Sequence, residues 1–120
     1  MTRINIGINP QRLKTKHLIA EHREIKRIPN TISSGKAKIT GIPETFRLGT
    51  GHVKFFYDKQ EYLRKRYLSI YAECVKRGLN VTNFIDCWND IPQELMNDYT
   101  PTDKDIEIIT ERLNERNALI

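Results

Sequence analysis

Two groups able to do chemistry stand out, far apart along the chain. The first lies in His17–Arg27, HLIAEHREIKR, where one carboxylate, Glu24, stands beside Arg23 and Arg27. Guanidinium neighbours favour its charged form. Such a group suits the stabilisation of positive charge, or acceptance of a proton from carbon, better than proton donation. The second lies in the opening residues, MTRIN. Thr2 is small enough for the initiator methionine to be removed, which would expose its α-amine; a retained Met1 would block it. An α-amine titrates near pH ~8 in peptides, against ~10.4 for a lysine side chain. A useful neutral fraction therefore exists at working pH, and neutral amines attack electrophilic carbon to form Schiff bases. Each group also has an ordinary reading: a frayed terminus, and a solvated helix face whose ion pairs contribute only ~0.2–0.5 kcal/mol each.

Three helices are expected to position these groups. The first starts at Asn9-Pro10, with Thr15 as a competing start, and ends near Ile28 because Pro29 disfavours helical geometry in the residue before it. Its wheel puts Leu18, Ile25 and Ile28 on one side and Arg12, Lys16, Arg23 and Arg27 on another. Glu24 falls at the boundary, in line with His17 and Ala20. The second helix is capped by Asp58 and stopped by Gly78, with Leu63, Tyr67, Ile70, Tyr71, Cys74 and Val75 at helical spacing. Arg64-Lys65-Arg66 and Lys76-Arg77 read as its wet side. The third begins at Thr102, with Asp105 completing a box-like cap. It turns Ile106, Ile109 and Leu113 inward and sets Arg112 and Arg116 one turn apart on a shared face.

Residues 30–52 and 79–101 read as irregular connections punctuated by Gly, Pro, Ser and Asp. Gly49-Thr50-Gly51 lacks the Lys-Ser/Thr of a P-loop and the third Gly of a dinucleotide fingerprint, so it reads as a tight turn. His52–Tyr57 reads as a loop entering a helix, His52 as a structural hydrogen-bonding residue and Trp88 as buried. The expected fold is all-α: one compact domain over residues 1–120, three helices with long irregular loops.

The formal net charge is +5, which favours a polyanionic partner. No apolar run approaches membrane-spanning length and no secretory segment opens the chain, so a cytoplasmic location is expected. Cys74 and Cys87 fall on separate elements without C-x-x-C spacing and read as reduced and structural. His17, His22 and His52 form no ligand cluster with them, and no metal site is expected.

MTRIN, HLIAEHRE, LGTGHVKFFYDK, EYLRKR, AECVKRG and DIPQE occur in that order, from residue 1 to about 116. Together they resemble the phage endonuclease V family of pyrimidine-dimer DNA glycosylases and AP lyases. The resemblance implies that the Thr2 amine attacks C1′ of a damaged nucleotide, an imine replaces the base, and β-elimination cuts the strand. It implies that Glu24 steadies the cationic sugar and helps move the proton. It assigns Arg3, Arg23, Arg27, Arg112 and Arg116 to the DNA backbone and His17 to support of the site. Lys16 stands where the family carries Gln, so a cation there would perturb the amine or add a phosphate contact. Neither metal nor redox cofactor is implied, and the partner is damaged double-stranded DNA met by a monomer. A dimer weakens stacking, so it can be selected by deformability. The chain departs from the family in a shorter connection after Pro29 and in ending at Ile120 without the Trp-, Tyr- and Lys-rich tail. Three alternatives stay open: the same mechanism on another lesion, a DNA-binding module without catalysis, and a basic scaffold with no nucleic-acid role.

Overall fold

The computed structural model describes residues 1–120. In chain order the helices are α1 (Thr15–Ile25), α2 (Arg27–Ser33), α3 (His52–Phe55), α4 (Gln60–Lys76) and α5 (Asp103–Glu115). There are no strands, and extended pairing is limited to one bridge between Leu13 and Leu119. The fold is therefore all-α as expected, with three long helices and two short ones besides. The Cα radius of gyration, 13.8 Å, is that of a compact globule of this length.

Local chemistry moved several boundaries. Asn9-Pro10 starts only a 3-10 turn, Pro10–Arg12, in which the Asn9 side chain accepts from the Gln11 amide at 3.0 Å. The helix proper waits until Thr15. Pro29 does not end helical structure. The α-helical hydrogen-bond ladder is interrupted at Lys26, whose backbone stays in the right-handed helical region; α2 follows at once, and Pro29 falls in its first turn, where a missing N–H removes no helical hydrogen bond. Asp58 is not the cap of α4: Lys59 holds that position without a side-chain cap bond, and Asp58 instead accepts from Lys59 Nζ at 2.9 Å. Gly78, with φ +75°, follows the end of α4 as expected. Val75 points outward and is 54% exposed, whereas Arg66, assigned to the wet side, is buried. At α5 the reciprocal Thr102–Asp105 capping box forms as expected. The 79–101 connection carries two 3-10 turns, and Trp88 is buried in the first.

The core gathers 20 buried residues from α1, α2, α4, α5, the Phe55-Phe56 pair and the connections. Ile4, Ile6 and Ile8 are also in it, carried by a non-helical segment. This segment has no sheet to satisfy its backbone, so side chains do so instead. Gly7 turns it just before Ile8 with φ +71°; a Cβ there would lie 2.8 Å from Ile106 Cγ1, so both the turn and the packing require glycine. At the other terminus Lys14 N–H donates to Ala118 O at 2.8 Å and Ile120 N–H to Arg12 O at 2.7 Å. Those bonds tie the segment after α5 to the start of α1. Cys74 and Cys87 are free thiols.

Candidate active site

Three consecutive amides near the N-terminus each donate to a side chain. Arg3 N–H donates to Glu24 Oε1 at 3.1 Å, Ile4 N–H to His52 Nε2 at 2.9 Å, and Asn5 N–H to Glu21 Oε2 at 3.2 Å. Two of these acceptors lie on α1 one turn apart, and the third lies on α3. Side-chain carboxylates and a ring nitrogen thus replace the neighbouring strand that an extended segment ordinarily needs.

Glu21 is itself fixed by a buried ion pair. Arg66, from α4, donates through Nε to Glu21 Oε2, through Nη2 to Glu21 Oε1 at 3.0 Å, and through Nη1 to Ile8 O at 2.9 Å. The side chains are 6% and 1% exposed. Asn5 Nδ2 adds a bond to Glu21 Oε1 at 2.7 Å. Burial opposes charge on Arg66, but the adjacent Glu21 carboxylate outweighs it and the guanidinium is held above its ordinary value. Sequence reasoning missed this pair. The signal was present in the helical register: Arg66 follows Leu63 by three and precedes Ile70 by four, and Glu21 stands three after Leu18 and four before Ile25.

His52 has a defined tautomer. Its Nδ1 lies 2.9 Å from Arg47 O, which can only accept, so Nδ1 carries the proton; Nε2 faces the Ile4 donor and must accept. Burial holds the ring below the usual imidazole range, and the Arg3 cation adds to this. The Arg47 carbonyl and Glu21 act in the other direction. The expected structural role of His52 is therefore found, and its partner proves to be the N-terminal segment.

A cleft of about 360 Å³ opens beside Glu24, lined by Met1, Arg3, Asn5, Lys16, His17, Glu21 and Arg116 among others. Arg3 lies close enough to Arg116 and Arg112 for both to lower its proton affinity, after burial, while Glu24 raises it. His17 is lowered by burial, then by Lys16, Arg116, Lys14 and Arg3. Arg23 Nη2 approaches Glu24 Oε2 at 3.6 Å from an exposed position. Arg27 Nη1 donates to Met1 O at 3.3 Å. Thr2 lines a second cleft of about 290 Å³ with Leu48, Gly49, His52 and Val53. Arg112 does not line the Glu24 cleft; it pairs with Glu115 at 3.6 Å. The fold thus gathers Arg3, Lys16, His17, Glu24 and Arg116 around one opening. Arg23 and Arg27 stand at its edge through Glu24 and Met1, with Arg112 near Arg3. No group of three His, Cys, Asp or Glu side chains gathers as metal ligands.

A protein-family model described as pyrimidine dimer DNA glycosylase matches residues 1–86. The chain belongs to this family. For a pyrimidine dimer DNA glycosylase the substrate class is damaged DNA, which a cleft lined by Arg3, Lys16 and Arg116 beside Glu24 suits. The matched stretch contains Thr2, Glu21, Glu24, His52 and Arg66, so the segment and all its side-chain acceptors fall within it. Helix α5, with Arg112, and Arg116 directly after it lie outside the match, and the two cations come near Arg3 through geometry alone. No helix is long and apolar enough to cross a membrane.

Proposed function

We propose that this glycosylase acts through the α-amine of Thr2, freed by loss of Met1, and that it also cuts the strand as an AP lyase. The amine lone pair attacks C1′ of the damaged nucleotide, and the C1′–N bond breaks with its electron pair leaving on the base. The base takes up a proton. Opening of the C1′–O4′ bond gives a protonated imine between C1′ and Thr2. Loss of a C2′ proton then expels the 3′ phosphate, and water hydrolyses the imine to return the amine. Glu24 lies beside the positive charge throughout, stabilising it and carrying the proton between nitrogen, O4′ and C2′.

One observation carries this reading: the Arg3 N–H to Glu24 Oε1 bond. The Thr2 nitrogen is three covalent bonds from the Arg3 nitrogen, at most ~3.7 Å away. The amine and the carboxylate are therefore held within reach of one sugar, despite the distance along the chain between them. Arg3, Lys16 and Arg116 around the cleft, with Arg23, Arg27 and Arg112 beside it, supply phosphate contacts. The same cations disfavour the ammonium form of the amine. His17 supports the site as a neutral ring among these cations. Cyclobutane pyrimidine dimers in duplex DNA are the proposed lesion, and a single copy of the chain, folded as one domain, holds every group the chemistry uses.

The test uses protein whose intact mass shows Thr2 at the N-terminus. It is incubated with duplexes carrying a dimer, an abasic site or neither, with and without borohydride. Strand cutting and a covalent adduct on the first two are expected. Cutting without an adduct refutes the amine, and binding alone refutes catalysis.

A further inference from the structure

We propose that His52 is a positioning residue for the Thr2 amine: its neutral imidazole, acting through the Ile4 amide, fixes where the first residues lie relative to Glu24. The inference rests on the Thr2 reading and adds a residue to it.

Peptide units are planar, so pinning an N–H pins the plane that carries it. Glu24 holds the Thr2–Arg3 plane and His52 holds the Arg3–Ile4 plane. With both planes fixed, the Arg3 dihedrals are fixed. The Thr2 nitrogen can then move only by rotation about the Thr2 Cα–C bond. Without the His52 acceptor, one bond to a partly exposed carboxylate would locate residues 2 and 3, and the Arg3 dihedrals would be free.

The ring is itself immobilised. It is 4% exposed and donates to Arg47 O. The Phe46 and Phe56 rings meet it near edge-on, with centroids at 5.4 and 5.5 Å. Both phenylalanines are buried. His52 and Thr2 also line the same small cleft, so the latch stands beside the residue it locates. His52 touches no reacting atom in this account. It acts through the backbone.

The test compares the full mature chain with H52Q and H52N. Gln Oε1 reaches about as far from Cα as ring Nε2 does and keeps an acceptor for Ile4. Asn is too short to reach Ile4 and keeps only a donor towards Arg47 O. Three quantities are read: the borohydride-trapping rate on an abasic duplex, duplex affinity, and hydrogen exchange of the Ile4 amide. H52N is expected to trap roughly 10–100-fold more slowly, the cost of an ångström-scale misplacement, with Ile4 exchange accelerated and duplex affinity falling far less, since Arg3 is one of several phosphate contacts. H52Q should recover most of both losses, which a merely space-filling role for the ring does not predict. Trapping by H52N at the parent rate overturns the proposal, and so does a folded H52Q that falls as far as H52N. A parent chain that is never trapped sinks the Thr2 reading instead. Ile4 exchange then decides this one: protection kept in H52N overturns the latch, and protection lost in H52N but kept in H52Q supports it.

Discussion

Glu24→Gln separates the carboxylate's charge from its place in the fold. The side chain is 15% exposed and accepts the Arg3 N–H at 3.1 Å. Gln keeps an oxygen for that bond, so the N-terminal segment stays in place and only the charge is lost. A unit charge developing at C1′ ~4 Å from the carboxylate, at an effective dielectric of ~20, gains about 4 kcal/mol. Its removal therefore slows the chemical step about 10³-fold. Duplex affinity should hold or rise slightly, because one negative charge leaves a cationic cleft. Folding stability should change by less than ~1 kcal/mol, since the facing Arg23 is a surface partner. The assay is single-turnover strand cleavage on abasic and dimer-bearing duplexes, with fluorescence anisotropy for binding and thermal unfolding as the control. Cleavage within about tenfold of the parent, where ~10³ is expected, would refute the electrostatic role. So would a loss of rate that merely tracks a loss of binding.

Three further outcomes follow from the same geometry. Arg66→Ala strands the buried Glu21 charge and should cost about 3–5 kcal/mol, a fall in Tm on the order of 15 °C; calorimetric loss below ~1 kcal/mol would mean the pair does not hold the segment. Arg112→Ala and Arg116→Ala should each weaken duplex binding and reduce the log–log salt slope by about 0.9, and an unchanged slope means no phosphate contact at that position. Burial holds His17, His22 and His52 below the ordinary imidazole value, with cations adding to it. The unfolded chain therefore binds protons below pH ~6.5 that the native chain refuses. Stability is full above that value and is lost as pH falls through it towards the lower native values. At pH 5.5 the buried His52 accounts for at most about 1.4 kcal/mol of the loss. Denaturant melts from pH 7.5 to 5.5 should show this decline, smaller in H52Q; a flat profile contradicts it.

What the sequence disclosed was whatever depends on local pattern. Leu63, Tyr67, Ile70 and Cys74 recur at helical spacing and are all buried on α4. The Thr102–Asp105 box is a short-range exchange of hydrogen bonds and was readable directly. Pro29 misled because its steric rule disfavours helix before it, while a first helical turn tolerates it; only packing of Ile28 and Pro29 into the core decides. Arg66 was hidden in a basic run, since composition reports charge and not facing. Ile4-Asn5-Ile6-Gly7-Ile8 alternates apolar residues with others and could have marked an extended segment. Nothing local, however, says that acceptors for the Arg3, Ile4 and Asn5 amides would come from residues 21, 48 and 16 positions away. Glu24 is singled out as a candidate by its neighbours and by family resemblance. Its coupling to the Arg3 amide was visible only in three dimensions.

The Ile4–Ile8 segment has a second consequence. An apolar, alternating, uncharged run is the composition that seeds cross-β stacking when its backbone donors are free. Here the Ile4, Asn5 and Gly7 donors are occupied by His52, Glu21 and a tyrosine hydroxyl, Tyr62 Oη taking the Gly7 N–H at 3.1 Å, and Ile8 N–H donates to Asn5 O at 3.2 Å. The side chains that hold this segment in the fold thus also keep an adhesive stretch sheathed. Loosening them would free those donors for pairing between chains, so the order of the segment and the solubility of the protein decline through the same broken contacts.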